Sequence, residues 1–236
     1  MIIIGQSALK LKSGKYIFEN IKNFLVSKKK INDEWNSLNI ISESASTVGG
    51  YDLDLLSSNN GKNITLEETQ KNNFEVIFFL GQDNINFKKQ NEFIVYIGSH
   101  GDNGAEVADL ILPGAAYTEQ EGLYTNLEGK IQKAFQASYP PGDAKEDWEI
   151  LNDLSELLKR KKLFNNKDEL IDSMINFIKL NQEIKKTEDI NTNFIDEKII
   201  LDNSDYYFSN VIARASKTMT DCHNEKIKLK KTGTDG

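Results

Sequence analysis

Three groups of residues in this chain have types and spacings that chemistry uses. His100 stands in a glycine-rich loop, Gly98-Ser99-His100-Gly101-Asp102-Asn103-Gly104, that follows the apolar run Phe93-Ile94-Val95-Tyr96-Ile97. A Rossmann-type sheet would place a ligand there, and an imidazole there could move a proton. Acid–base work needs a positioned partner, and no Cys-His or Ser-His-carboxylate arrangement accompanies His100, so it reads as a loop hydrogen-bonding residue. The loop glycines are three apart, which is not G-x-G-x-x-G, and the chain contains no G-x-x-x-x-G-K-[ST]. Glu119, Glu121 and Glu128 form a second group, an acidic one. Glu119 and Glu128 stand beside turn signals, where carboxylates accept backbone N–H bonds, so a structural role is expected. The third group is Val48-Gly49-Gly50-Tyr51-Asp52. Two adjacent glycines can converge backbone N–H groups on a phosphate, or can simply make a tight turn.

Metal chemistry is bounded by counting. Cys222 is the only cysteine, and His100 and His223 are the only histidines. No disulfide can form within the chain, no four-thiolate iron–sulfur cluster can be ligated by it alone, and a two-Cys-two-His zinc site is excluded. The 236 residues are 39% hydrophobic and 28% charged, the balance of a folded chain, and long enough for one core with an appendage. A net charge of −7 excludes a general nucleic-acid binder, which needs a cationic face. No apolar run approaches the roughly 18 residues that span a bilayer.

The elements that must position these residues follow from periodicity. Ile2-Ile3-Ile4 reads as a strand, 15–26 as a helix, 35–41 as a second strand and 44–53 as a loop. Asn59-Asn60-Gly61 signals a turn, and 66–71 a short polar helix. Residues 74–81 and 93–98 are nearly continuous apolar runs, expected as buried parallel strands joined by a helix. Leu110-Ile111-Leu112, stopped by Pro113-Gly114, reads as a further buried strand. Segments 123–126 and 130–135 flank Gly129 as a hairpin. Tyr139-Pro140-Pro141-Gly142 marks a boundary, giving a partial α/β domain over 1–140 and a helical region over 141–236. In the helical region one helix carries Trp148, Leu151, Leu154, Leu157 and Leu158 on its apolar face, and a second covers 168–180. A loose connection is expected over 181–192, then an amphipathic helix with Val211, Ile212, Ala215 and Met219 on one face, then a solvated lysine-rich tail over 226–231.

The most specific pattern is Asp109, Leu112-Pro113, Glu119, Gly122, Tyr124, Asn126, Glu128-Gly129 and Gln132. It resembles the A-D-x-x-L-P … E-x-x-G-x-Y-x-N-x-E-G-R-x-Q signature of the molybdopterin oxidoreductase superfamily. Lys130 replaces the usual Arg, keeping the charge but losing the bidentate fork. The Val-Gly-Gly-x-Asp-Leu run, the Pro-Pro-Gly boundary with Glu-Asp-Trp148, and Arg214-Ala-Ser216-x-x-Met219 narrow the resemblance. They are similar to the family of the large iron–sulfur subunit of respiratory complex I, the 75-kDa or G subunit of NADH:quinone oxidoreductase. Ser209-Asn210 replaces Thr-Asp there and keeps a capping residue.

The resemblance implies a doubly wound, mostly parallel α/β sheet of the molybdopterin oxidoreductase type with a C-terminal helical extension. It implies the C-terminal part of a longer protein, or the product of a split gene, that has kept the fold and lost the pterin. No catalytic, cofactor-binding or metal residue is then expected in this chain, and the iron–sulfur clusters belong to the missing N-terminal portion. The implied partners are that portion and other peripheral-arm subunits. The implied place is the matrix side of the mitochondrial inner membrane, or the cytoplasmic side of a bacterial plasma membrane, reached only through the complex. Apolar surface and a strand edge should be left for a partner. Two readings stand beside this one. The chain could be a fragment of a true molybdopterin oxidoreductase whose loops after Gly81, Gly98 and Pro113 contact the pterin, or a free-standing nucleotide-binding module.

Overall fold

A computed structural model describes residues 1–32, 34–55, 66–71, 74–181, 193–198 and 205–231. The turn signal at Asn59-Asn60-Gly61 and residues 182–192 of the expected connection lie outside the described residues. In chain order the first elements are β1 (Ile2–Gly5), α1 (Gln6–Leu9), α2 (Gly14–Ser27), β2 (Leu38–Ile41), α3 (Thr47–Asp52), α4 (Leu66–Lys71), β3 (Val76–Leu80) and β4 (Phe93–Gly98). Then come α5 (Asn103–Glu106), β5 (Leu110–Pro113), β6 (Gly122–Thr125), β7 (Ile131–Ala134), α6 (Asp147–Leu157), α7 (Lys167–Asn181), a 3-10 turn (Tyr206–Phe208), α8 (Val211–Ala215) and α9 (Lys217–Lys231). The fold is α/β with parallel sheets and a helical C-terminal part.

The chain divides into two compact units. The first comprises Met1–Asn63, Leu123–Ala134 and Asp168–Leu201, and the second Ile64–Gly122, Phe135–Lys167 and Asp202–Gly236.

In the first unit β1 and β2 pair in parallel from Ile2↔Leu38 to Gly5↔Ile41, with α1 and α2 as the crossover. Ile4, Leu25 of α2 and Ile178 of α7 are its buried apolar residues. Segment 193–198 is fastened at Ser13: the hydroxyl donates to Ile195 O at 2.8 Å, and Ile195 N donates back to Ser13 Oγ at 2.7 Å. The ring of Phe194 meets Tyr16 edge-on at 5.9 Å. The stretch read as a loop over 44–53 contains the helix α3. Its glycine pair is a poor helix former, yet Gly50 N bonds Ser46 O and Leu53 N bonds Gly49 O, each at 3.0 Å.

The second unit is built on the three-stranded parallel sheet β3-β4-β5. The register runs Val76↔Phe93 to Leu80↔Ile97, and Val95↔Leu110 to Gly98↔Pro113. Strand β4 is central, and Ile94, Val95, Tyr96 and Ile97 are all buried. One face packs Phe79, Phe87, Ile94 and Tyr96 together with Ile77, Ile85 and Val107. The other packs Val95 and Ile97 against Ile150 and Leu151 of α6 and Leu112 of β5.

Three expectations about this sheet are corrected. No helix joins β3 to β4 among the described residues. The connection 81–92 is irregular and covers the sheet with Phe87, whose ring stands edge-on to Phe79 at 5.3 Å. Its apolar side chains, Ile85 and Phe87, lie two apart and give no helical stripe. Strands β3 and β5 are not buried on both faces, because both are edge strands. Val76, Phe78 and Leu80 stay exposed on β3, as do Leu110 and Ile111 on β5.

Helix α6 also differs from its sequence reading. Leu157 and Leu158 are exposed, while Ile150, Asn152 and Ser155 are buried. Asn152 holds the returning chain: its Nδ2 donates to Phe164 O at 2.8 Å, and its Oδ1 accepts from Leu163 N at 2.9 Å and Phe164 N at 3.1 Å. Ser155 Oγ donates to Lys161 O at 2.7 Å. The expected single amphipathic helix near the C terminus is broken at Ser216, which is extended, and Ala213 rather than Ala215 is buried. The lysine-rich 226–231 is helical, forming the end of α9; Ile227 and Lys228 are exposed, while Lys226 is half-buried with its ammonium 5.7 Å from the centre of the Tyr207 ring.

Asn152→Ala should destabilise the chain by roughly 2–3 kcal/mol, because three part-buried backbone groups lose their partner. The urea midpoint of the variant against the wild type measures this. A loss below about 0.5 kcal/mol, the range of ordinary surface substitutions, would remove Asn152 from this role.

Candidate functional site

The signature residues fall into both units. In the second unit Asp109 exchanges two bonds with β4: Asp109 N donates to Ile94 O and Ile94 N donates to Asp109 Oδ2, each at 2.8 Å. Lys89 Nζ sits 2.5 Å from the other carboxylate oxygen. The lysine and the Ile94 amide hold the Asp109 carboxyl below its ordinary value of 3.8. Pro113 O accepts from Lys145 N at 3.2 Å, tying the end of β5 to the segment that leads into α6. Glu119 accepts from Ala116 N at 2.9 Å through its carboxylate, and its backbone O accepts from Gln136 Nε2 at 3.0 Å. Gly122 begins β6. Trp148 donates its indole N–H to Glu146 at 2.8 Å, and Lys167 donates to both oxygens of the same carboxylate at 2.6 Å.

In the first unit Asn126 shapes the β6–β7 hairpin. Its Oδ1 accepts from Glu128 N at 3.0 Å and Lys130 N at 2.9 Å, and Gly129 takes φ +78°, a value a Cβ would strain. The N–H-accepting role expected of Glu128 is thus filled by Asn126, and Glu128 is exposed. Tyr124, Asn126 and Gln132 line a cleft of about 380 Å³ together with Ser44, Ser46 and Thr47. The cleft offers hydroxyls and amides and no cation, and its one carboxylate, Glu43, is paired with Lys10. A Cβ on Gly49 would meet Ser46 Oγ at 2.8 Å and Thr125 Oγ1 at 3.2 Å. Close packing therefore accounts for this glycine without a phosphate.

The C-terminal signature belongs to the second unit. Arg214 Nε donates to the carboxylate of Asp102, and its Nη1 donates to Phe208 O at 3.2 Å. Asn210 Oδ1 caps α8 by accepting from Ala213 N at 2.9 Å. Ser216 opens α9, its Oγ accepting from Met219 N at 3.5 Å and its backbone O from Thr220 N at 3.0 Å. Met219 is half-buried. His223 stacks on Phe208 with 4.3 Å between ring centroids, and its Nδ1 faces the carboxylate of Asp205.

Sequence reasoning missed the partners of these residues. Asp102 has φ +78° without being glycine. It is held there because its backbone O takes Ala105 N and Glu106 N while its carboxylate takes Arg214. Tyr96 donates its hydroxyl to Asp83, and burial together with that bond pushes the phenol's pKa up. Cβ atoms on Gly98 and Gly104 would strike the Tyr96 hydroxyl oxygen and Gln82 O, each at 2.2 Å. The loop glycines at 98 and 104 are thus explained by this knot. His100 is exposed, with Nδ1 2.9 Å from Ser99 Oγ, a loop contact. The legible signal would have been a tyrosine at the centre of an aliphatic strand, with one aspartate in the loop before that strand and another in the loop after it.

The molybdopterin oxidoreductase family model matches residues 1–157. The chain belongs to the molybdopterin oxidoreductase family. A second model, for the C-terminal region of the G subunit of NADH-ubiquinone oxidoreductase, matches residues 178–222 of this family member. Among similar curated proteins, the NADH-ubiquinone oxidoreductase 75 kDa subunit of Reclinomonas americana is 36% identical over 94% of this chain and 33% of its own length. The mitochondrial NADH-ubiquinone oxidoreductase 78 kDa subunit of Candida albicans is 34% identical over 94% of this chain and 32% of its own. The G subunit of the NADH-quinone oxidoreductase of Rickettsia bellii is 35% identical over 99% of this chain and 34% of its own. The chain thus spans about a third of the length of these relatives.

Two outcomes are expected. Arg214→Ala should release α8 and α9, raising hydrogen exchange over 211–228 by roughly 10- to 100-fold, the equivalent of one lost charged hydrogen bond. Exchange over 94–97 should not change. A variant with unaltered exchange in α8 and α9 would show that the pair does not hold them. The second concerns acid. Because the folded state lowers the Asp109 pKa, its contribution is complete above 3.8 and is lost as pH falls through the lowered value. Asp109→Asn should therefore flatten the fall of the urea midpoint with acidification below 3.8. Parallel curves for the two proteins would contradict the assignment.

Proposed function

We propose that this chain is the C-terminal portion of the large iron–sulfur subunit of respiratory complex I, a structural part of the peripheral arm that carries no electron itself. The observation that supports this reading most directly is how the signature side chains are spent. Asp109, Glu119, Asn126, Glu146 under Trp148, Arg214 and Ser216 all bond groups of this chain. They hold strands, turns and helix ends in place. The order of matches, a family-wide part over 1–157 followed by a complex I-specific part over 178–222, supports the same placement. An α/β part over 1–140 and a helical part over 141–236 belong to this proposal.

The cofactors of electron transfer belong elsewhere in this reading. A four-thiolate cluster needs four cysteines and the sequence holds one, so the clusters lie in the part of the subunit that this chain does not match. The pterin of the wider family is an anionic group, and the loops at the carboxyl end of the β3-β4-β5 sheet do not fit it. They present Asp83 and Asp102; Arg214 is already paired with Asp102, and Gly98 and Gly104 are pressed against this chain's own atoms. The partners are the cluster-bearing portion of the subunit and its peripheral-arm neighbours. The place is the matrix side of the mitochondrial inner membrane, or the cytoplasmic side of the bacterial one. No helix among the described residues is long and apolar enough to cross a membrane, so attachment runs through the complex.

Gentle detergent extraction of membranes from the source, followed by native electrophoresis and an NADH-oxidation stain, tests this. The chain is expected in a large NADH-oxidising particle. Migration alone, or in a small molybdenum-containing fraction, would overturn the reading in favour of a pterin enzyme.

A further inference from the structure

Helix α2 begins without a cap of its own. Ser13 is its N-cap residue, yet the Ser13 side chain bonds none of the helix's N–H groups, and the first turn holds no acidic residue. Helix α6 shows what is missing, because there Glu146 and Glu149 form a capping box within the helix itself. Left like this, the positive end of α2 has neither a side-chain acceptor nor an anion from its own sequence.

The missing parts come from 193–198. Ser13 Oγ donates to Ile195 O at 2.8 Å and accepts from Ile195 N at 2.7 Å. Glu197 Oε1 accepts from Ser13 N at 3.4 Å, the bond that the third residue of a helix makes in a capping box. In α2 that third residue is Tyr16, whose ring meets Phe194 edge-on at 5.9 Å instead. Ser13 is only 2% exposed, so without 193–198 its hydroxyl would be buried and unpaired. All of these residues belong to the first unit. Ser13 and Tyr16 fall in the stretch matched by the molybdopterin oxidoreductase model, and 193–198 in the complex I-specific one. A helix of the family-wide part is thus started by a segment of narrower distribution.

We propose that 193–198 is a latch that supplies the cap of α2, so that the latch and the first two turns of the helix close and open as one cooperative element. While the latch is seated, Ile195 and Glu197 fix Ser13 and the helix starts there. When it lifts, Ser13 loses these partners together and the start of α2 frays. The device is read from bonds within this chain and stands apart from the placement in complex I.

Hydrogen exchange on the full chain, in the particle that carries it, tests the coupling. Ile195→Pro removes the N–H that Ser13 Oγ accepts, and Glu197→Ala removes the carboxylate. Neither residue lies in α2, and Ile195 is exposed. Each variant should raise exchange over 13–20 by roughly 3- to 30-fold, the size of a lost helix cap, together with exchange over 193–198. Exchange over 94–97, in the other unit, should not change. The two substitutions combined should raise exchange over 13–20 by less than the product of their separate effects, since either one lifts the same latch. Faster exchange over 193–198 with 13–20 unchanged would show a segment that merely rests on the helix, and would overturn the proposal. Unchanged exchange in both segments would overturn it as well. Should the proline variant lose protection over 94–97 too, Glu197→Ala alone decides, because it removes one half-buried surface carboxylate and leaves the backbone bonds of the latch in place.

Discussion

The second unit depends on one constraint, that β4 be buried on both faces and paired on both edges. A strand in the middle of a parallel sheet can satisfy its backbone only through neighbours distant in sequence, and Ile94 through Ile97 leave no side open to water. One face is closed by the irregular connection that carries Phe87, the other by α6. Both covers need fasteners. Asp109 locks the entry of β5 to β4, and Glu146 and Asn152 fix the N-terminal end and the middle of α6 to the chain around it. Most signature residues of this unit are fasteners of this kind, which explains why their side chains turn inward to backbone groups.

The carboxyl end of the same sheet is where an α/β protein commonly binds a ligand. Here that end is occupied by the chain itself. Tyr96 reaches Asp83, Asp102 adopts a left-handed backbone to meet Arg214, and the glycines between them are sized by the Tyr96 ring and by Gln82. A phenol whose ionisation burial and a nearby carboxylate oppose cannot serve as a base near neutral pH. The polar groups at this end of the sheet satisfy one another.

Arg214 has a further consequence. Asp102 lies in the stretch matched by the molybdopterin oxidoreductase model, and Arg214 in the stretch matched by the complex I-specific model. The pair thus joins a family-wide sheet to a C-terminal element of narrower distribution. An arginine suits this place, since its guanidinium serves a carboxylate and the Phe208 carbonyl together. Around it, Asn210 and Ser216 start two helices, α8 of 5 residues and α9 of 15, instead of one continuous one, turning the chain at Ser216.

The sequence alone determined the α/β class, the places of β1, β3, β4, α2, α7 and the β6–β7 hairpin, and the family, because these rest on local periodicity, on turn residues such as Gly129 and on a signature of fixed spacing. It also determined that no four-thiolate cluster can be held by this chain, a matter of counting. Only the tertiary structure decided which apolar strands are covered. Val76-Ile77-Phe78-Phe79-Leu80 and Ile94-Val95-Tyr96-Ile97 look alike in composition, and position in the sheet makes the first an edge and the second a centre. It likewise decided that 81–92 would cover a face without a helix, that 47–52 would be helical despite two glycines, and that Asn152 rather than Leu157 would face inward. The physical reason is common to these cases. Burial and side-chain partnership are set by residues far away in the sequence, and a local pattern records what a segment can bury but not what arrives to cover it.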